Sequence, residues 1–220
     1  MFLGIGLMPI YKLTTGSSTL CFVHPHVPKT GGTAVSHFFQ EKLGARMYYG
    51  TEMHGIRPMM RCPPQHYHYA ILNELFLLER ATISFCIVRH PIARIESDYI
   101  WAMTKSTMRD DWMSFDDWIS HAFEAYTKNP YFLANHIRPQ HEFIGPKIKH
   151  IFKYEDGLNE AVNRVLEVAG IPWSNEVLLD KINTRKESIG DAGTNIVLRD
   201  ETRQKILNFY DRDFKLFGYK

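Results

Sequence analysis

Lys29, Thr30, Gly31, Gly32 and Thr33 form one unbroken turn inside "FVHPHVPKTGGTAVSHFF", residues 22–39, between an apolar run and a stretch with helical spacing. A glycine-rich turn between a strand and a helix presents backbone N–H groups at the positive end of the helix, which suits an anion. Gly31 and Gly32 let the chain curl round a tetrahedral group, Lys29 adds a mobile charge, and Thr30 and Thr33 add hydroxyl donors. Glycines alone would serve a plain structural turn. Their combination with Lys29, two threonines and both flanking elements points to an anion site. The nucleotide-binding pattern G-x-x-x-x-G-K-[ST] carries its lysine after the glycines, whereas Lys29 precedes them, so the turn is of another kind.

A second group of polar residues lies in "FCIVRHPIARIESDYIWA", residues 85–102. Arg89 falls at the carboxyl end of a buried strand pattern, where open α/β sheets bind ligands, and a guanidinium grips phosphate with two prongs as a lysine does not. Ser97 lies about 140° round the following helix from Ile92, off the apolar stripe and able to donate its hydroxyl. Taken singly, Arg89 could be a surface ion pair and Ser97 an exposed helix residue. Taken with the Lys29 turn, they suggest a phosphate.

These two stretches resemble the sulfotransferase family, in particular its carbohydrate and bacterial-type branch. P-K-T-G-G-T after the first strand looks like the family's 5'-phosphosulfate loop, and Arg-x-Pro, a further Arg and Ser-x-Tyr look like its 3'-phosphate strand and helix. The resemblance implies 3'-phosphoadenosine 5'-phosphosulfate (PAPS) as sulfuryl donor, with adenosine 3',5'-bisphosphate (3',5'-ADP) as product and no required metal. It implies in-line displacement by an acceptor hydroxyl, which needs neutralised oxygens and a base. "RCPPQHYHYAILNELF", residues 61–76, resembles the family segment whose histidine, single or paired, is that base. His66 is the first choice and His68 the second, with a helix cap or surface pair as the plain alternative; imidazole suits the task because it titrates near neutrality. Lys29 would bind sulfate oxygens and stabilise charge on the bridging oxygen.

Acceptor contacts are implied less directly. "NHIRPQHEF", residues 135–143, resembles a loop of bacterial members, in which Arg138 and Gln140 face an acceptor sugar or acid, or else brace the sheet. Arg185 and Lys186, in "NTRKES", close over the 3'-phosphate or form a solvated cluster. A metal site at His24 and His26 or at His66 and His68 is disfavoured, since no cysteine or carboxylate sits at ligand spacing beside either pair.

The elements that must position these residues follow a strand–helix alternation. Strand-like runs occupy 19–24, 82–88 and 149–154, each followed by a helical pattern. Val35, Phe38, Phe39 and Leu43 share one face after the first, and Ile92, Ile95, Tyr99 and Met103 share one after the second. Asp156 is expected to cap the third helix, which Gly170 and Pro172 stop. Further helices are expected over 69–79, 114–126 with a Ser114–Asp117 capping box, and 199–210, with a loop over 172–197. This is the grammar of an α/β fold, a central mostly parallel sheet flanked by helices, expected as one domain over 1–220.

A net charge of +2 argues against a coat for nucleic acid or anionic membrane. Cys21, Cys62 and Cys86 are too scattered for a disulfide framework, which suggests a reducing compartment. The opening MFLGIGLMPI is too short to span a bilayer and reads as a lead-in or edge strand. The expectation is a cytoplasmic enzyme acting on a carbohydrate or small metabolite, with no nucleic-acid partner. Two other readings stay open: a drifted P-loop kinase or phosphotransferase, and a non-catalytic nucleotide-binding protein.

Overall fold

In the computed structural model, which describes residues 9–47, 60–105, 113–173, 179 and 196–220, the chain opens on a tight hairpin. Strands β1 (Ile10–Thr15) and β2 (Ser18–Val23) pair antiparallel from Thr15 opposite Ser18, and Gly16 at φ 58° supplies the positive dihedral that a two-residue hairpin turn requires. β3 (Arg46–Met47) adds antiparallel to the far side of β1. On the other side, β4 (Ile83–Val88) runs parallel to β2, and β5 (His150–Lys153) parallel to β4. The order β3-β1-β2-β4-β5 is a mixed open sheet in which the strands that carry the motifs are the parallel ones.

All six residues of β4 are buried, as befits a central parallel strand covered on both faces. One layer over the sheet comes from α1 (Gly32–His37), the π-helical turn Phe38–Lys42 that continues it, and α5 (Leu158–Val168). Phe38 and Phe39 are sealed there with Val35, as their shared face predicts. α3 (Pro91–Lys105), α4 (Phe115–Lys128), α6 (Asp200–Phe209) and α7 (Asp211–Phe217) share a second core round Ile95, Ile119 and Tyr210. α2 (Tyr69–Leu75) closes a third, with Leu72 and Phe143 fully buried. Among the described residues no helix is long and apolar enough to cross a membrane.

Several local expectations change. The lead-in or edge strand expected over MFLGIGLMPI falls mostly outside the described residues; the strand that follows it, Ile10–Thr15, was not expected, and it lies inside the sheet because β3 covers its outer side. The helix expected over 69–79 ends at Leu75: Phe76 turns extended, and a 3₁₀ turn at Leu78–Arg80 drops Leu78 into the core. Asp156 does not cap α5. It belongs to a 3₁₀ turn over Tyr154–Asp156, and Gly157 at φ 102° takes the N-cap position with no side-chain cap. Ser114 does cap α4, accepting from the Asp117 amide. α5 stops at Gly170, whose φ of 66° allows the Ile171 amide to reach back to the Leu166 carbonyl.

Candidate active site

The turn after β2 is wound tightly. Lys29 itself sits at φ 67°, Gly31 follows at φ 82° as the N-cap of α1, and Gly32 opens the helix. A side-chain-bearing residue in the left-handed region costs of order 1–3 kcal/mol and marks sites that the surrounding structure over-determines. Here Arg89 supplies part of that determination, donating from Nη1 to the Lys29 carbonyl across 3.1 Å. The first turn of α1 carries neither a side-chain cap nor an acidic residue. Thr30 is fully buried and donates its hydroxyl to the Val27 carbonyl at 2.8 Å, so it braces the turn from within, while Thr33 is exposed.

Arg89 stands at the end of β4 with its guanidinium 4.5 Å over the Tyr154 ring. Its backbone is clamped on both sides by Gln140, whose Oε1 accepts from Arg89 N at 2.9 Å and whose Nε2 donates to Arg89 O at 2.7 Å. Of the two expectations for Gln140, the brace is therefore the one its hydrogen bonds describe. Arg138 is likewise engaged inside the protein, donating to Asn135 Oδ1, the Pro130 carbonyl and the Glu142 carboxylate, and is almost wholly buried. Neither presents an uncommitted head to an acceptor. Ser97 is half-buried on α3, and Arg185 and Lys186 lie outside the described residues.

His66 is buried among histidines. Its ring centroid lies 5.0 Å from that of His26 and 4.8 Å from that of His136. Burial first, then His136, His26 and Lys29, push its pKa well below the usual histidine value, so it is neutral at physiological pH. Burial likewise lowers His26 to about 4 and His68 to about 4. His68 lies apart from this cluster, with its ring toward Tyr131 and Phe143 and Nδ1 3.4 Å from the Asn135 amide nitrogen.

Three residues escaped the sequence reading. Asp98, on α3, accepts from His136 Nδ1 at 2.6 Å, and both side chains are buried. His136 stacks on Trp101 at 4.5 Å and 23°, and the ammonium of Lys29 lies 5.5 Å from the same indole. Asp98 and Trp101 follow the Arg89 motif on α3, and His136 sits in the "NHIRPQHEF" loop beside Arg138. Arg94, fully buried, ties that loop to α3 by donating to the His136 and Arg138 carbonyls. The site thus gathers a cationic turn, an arginine at a strand end and a buried histidine cluster with one carboxylate. Among the described residues no group of three or more histidines, cysteines and carboxylates stands where it could hold a metal ion.

This is the equipment for moving a tetrahedral anionic group onto a nucleophile that must lose a proton. No curated protein and no solved structure matches the chain. A family model described as "Sulfotransferase family" matches residues 17–220, spanning the Lys29 turn, Arg89 and the histidine cluster. The chain belongs to the sulfotransferase family and is a transferase of sulfuryl groups.

Proposed function

We propose that this protein moves a sulfuryl group from 3'-phosphoadenosine 5'-phosphosulfate to a hydroxyl of a carbohydrate or small metabolite. The observation that carries the reading is the link between Arg89 and Lys29, one hydrogen bond that joins the arginine after β4 to the lysine of the turn after β2. A donor with phosphates at both its 3' and 5' positions needs two such points. Lys29 and the first turn of α1 would hold its phosphosulfate end, and Arg89 with Ser97 its 3'-phosphate. Gly32 supports the fit: a Cβ there would stand 2.3 Å from the His26 ring, so the backbone has been kept bare where the turn meets the cluster.

Catalysis then divides among this chain's residues. Lys29 stabilises charge on the leaving oxygen, a term that builds up only as the bond breaks. A histidine beside the turn, where His26, His66 and His136 are gathered, takes the acceptor proton. Burial keeps His66 and His26 unprotonated, while the group that takes the proton must also be able to hold it.

Isothermal titration of wild type and Arg89→Ala with adenosine 3',5'-bisphosphate and with ATP tests the donor. The expected result is binding of the bisphosphate in preference to ATP, a preference that Arg89→Ala removes. Better binding of ATP, or of neither, overturns the donor reading, and the Lys29 turn must then serve another anion or structure alone.

A further inference from the structure

The histidines round the Lys29 turn are not equally able to take a proton. His66 Nδ1 lies 3.4 Å from the His26 carbonyl oxygen and Nε2 lies 2.9 Å from the Gln65 amide nitrogen. A carbonyl only accepts, so Nδ1 holds the hydrogen, and the amide then donates to Nε2. Both ring nitrogens are committed. Among the described residues no carboxylate is bonded to His66 to steady an imidazolium, and His136, His26 and Lys29 oppose one.

His136 differs on each point. Its Nδ1 faces Asp98 Oδ1 at 2.6 Å, so Nδ1 donates its hydrogen to the carboxylate and Nε2 is the nitrogen left to exchange a proton. Asp98 is fully buried, and its second oxygen, Oδ2, has no hydrogen-bond partner among the described residues. A buried carboxylate with half its acceptors unpaired is costly, and it gains when the group bonded to it becomes a cation. The loop that holds His136 is fixed from two sides, by Arg94 Nη1 on its carbonyl at 2.9 Å and by the Tyr210 hydroxyl on the Ile137 carbonyl at 2.8 Å. Its ring is stacked on Trp101, the indole that also faces the Lys29 ammonium.

We propose that His136, oriented by Asp98, is the general base of the reaction. The inference rests on the sulfuryl-transfer reading above. As the acceptor oxygen bonds to sulfur, its proton passes to His136 Nε2. The electron pair of the breaking sulfur–oxygen bond stays on the 5'-phosphate oxygen beside Lys29. The products are a sulfate ester, adenosine 3',5'-bisphosphate and an imidazolium whose Nδ1–H remains on Asp98. Asp98 is a positioning residue, touching no reacting atom. His66 packs against the base and shapes the cleft.

The test compares Asp98→Asn, His136→Gln and His66→Gln by three readouts: affinity for adenosine 3',5'-bisphosphate, release of bisphosphate from the donor with water as acceptor, and the ¹⁵N resonances of the imidazoles. We expect His136 to carry its hydrogen on Nδ1 in wild type and to lose that preference in Asp98→Asn, which is nearly isosteric and keeps the fold. Turnover should fall about 10²- to 10⁴-fold in Asp98→Asn and His136→Gln, with bisphosphate affinity unchanged, and far less in His66→Gln. Full turnover in His136→Gln, or loss confined to His66→Gln, overturns the proposal. The tautomer is read without turnover, so a wild-type His136 protonated on Nε2 overturns it even if water is not accepted. Failure to bind bisphosphate strikes the donor reading instead, and is seen separately.

Discussion

Arg89 Nη1 reaches the carbonyl of Lys29 across 3.1 Å, so the residue that follows β4 holds the backbone of the residue that charges the turn after β2. β2 and β4 are parallel neighbours, and their carboxyl ends bring Lys29 and Arg89 together although sixty positions separate them. The left-handed conformation of Lys29 is held by this contact from outside and by the Thr30 hydroxyl from within.

A lysine at position 89 should therefore fail almost as completely as an alanine. It keeps one charge but cannot bond the Lys29 carbonyl and a phosphate from one planar head. Charged hydrogen bonds are worth about 1.5–3 kcal/mol, so bisphosphate affinity in Arg89→Lys should drop on the order of 10- to 100-fold. Calorimetric titration reads this directly, and near-wild-type affinity would show that the guanidinium is only a brace.

Lys29→Met is expected to separate rate from binding. The ammonium lies over Trp101, beside the cluster, where charge on a departing oxygen needs it most. Removing one such group typically costs about 10²- to 10³-fold in kcat. Donor affinity should fall much less, because Arg89 and the backbone amides of the turn remain. Single-turnover rates set beside bisphosphate affinity decide the matter: equal losses in both would make Lys29 a binding residue alone.

Stability should decline in mild acid. Burial depresses His24 and His66 well below the usual value and His26 to about 4. The sign follows from linkage: the unfolded chain binds protons as pH falls through about 6.5, while the folded chain refuses them until far lower, so protons favour unfolding. Each such histidine contributes at most about 1.4 kcal/mol per pH unit between those limits. Urea midpoints should hold steady above pH 7 and fall steeply from pH ~6.5 toward pH ~4. Saturating bisphosphate should soften the fall, since anions favour protonated neighbours. A flat profile would mean that the cluster is hydrated and exposed.

The parts of this site that are continuous in the chain were legible before folding. The Lys29 turn and the Arg89 strand end could be read because a strand pattern, a breaker and a helix pattern declare them within a few residues. Asp98 and His136 could not, because neither is unusual locally: Asp98 looks like the polar side of α3, and His136 like one of eleven histidines in the chain. Only the packing of the "NHIRPQHEF" loop on α3, through Arg94, turns them into a pair. Arg138 and Gln140 carry the conspicuous polar heads, but those heads are spent on Asn135, Glu142 and the Arg89 backbone. β1 was hidden differently. "IYKLTT" buries Tyr11 and Leu13 and exposes Lys12 and Thr14, an alternation short enough to be taken for a lead-in.

Gly32→Ala tests whether the turn and the cluster are one device. A Cβ at this position would stand 2.3–2.6 Å from three atoms of the His26 ring, closer than real contacts allow. The backbone of Gly32 has an ordinary helical conformation, so the substitution carries no dihedral penalty and acts only through this clash. His26 has little room to retreat, with His24 stacked parallel at 6.2 Å and His66 edge-on at 5.0 Å. The ring must therefore move into the cluster or the turn must move outward. Overpacking of this kind costs about 1–3 kcal/mol, which a urea melt resolves. If the turn gives way, bisphosphate affinity falls as Lys29 leaves its place; if the ring gives way, affinity holds and turnover falls as the cluster is displaced. A variant with wild-type stability, affinity and rate would show that the two are mechanically independent, and that the bare backbone at Gly32 serves the helix start alone.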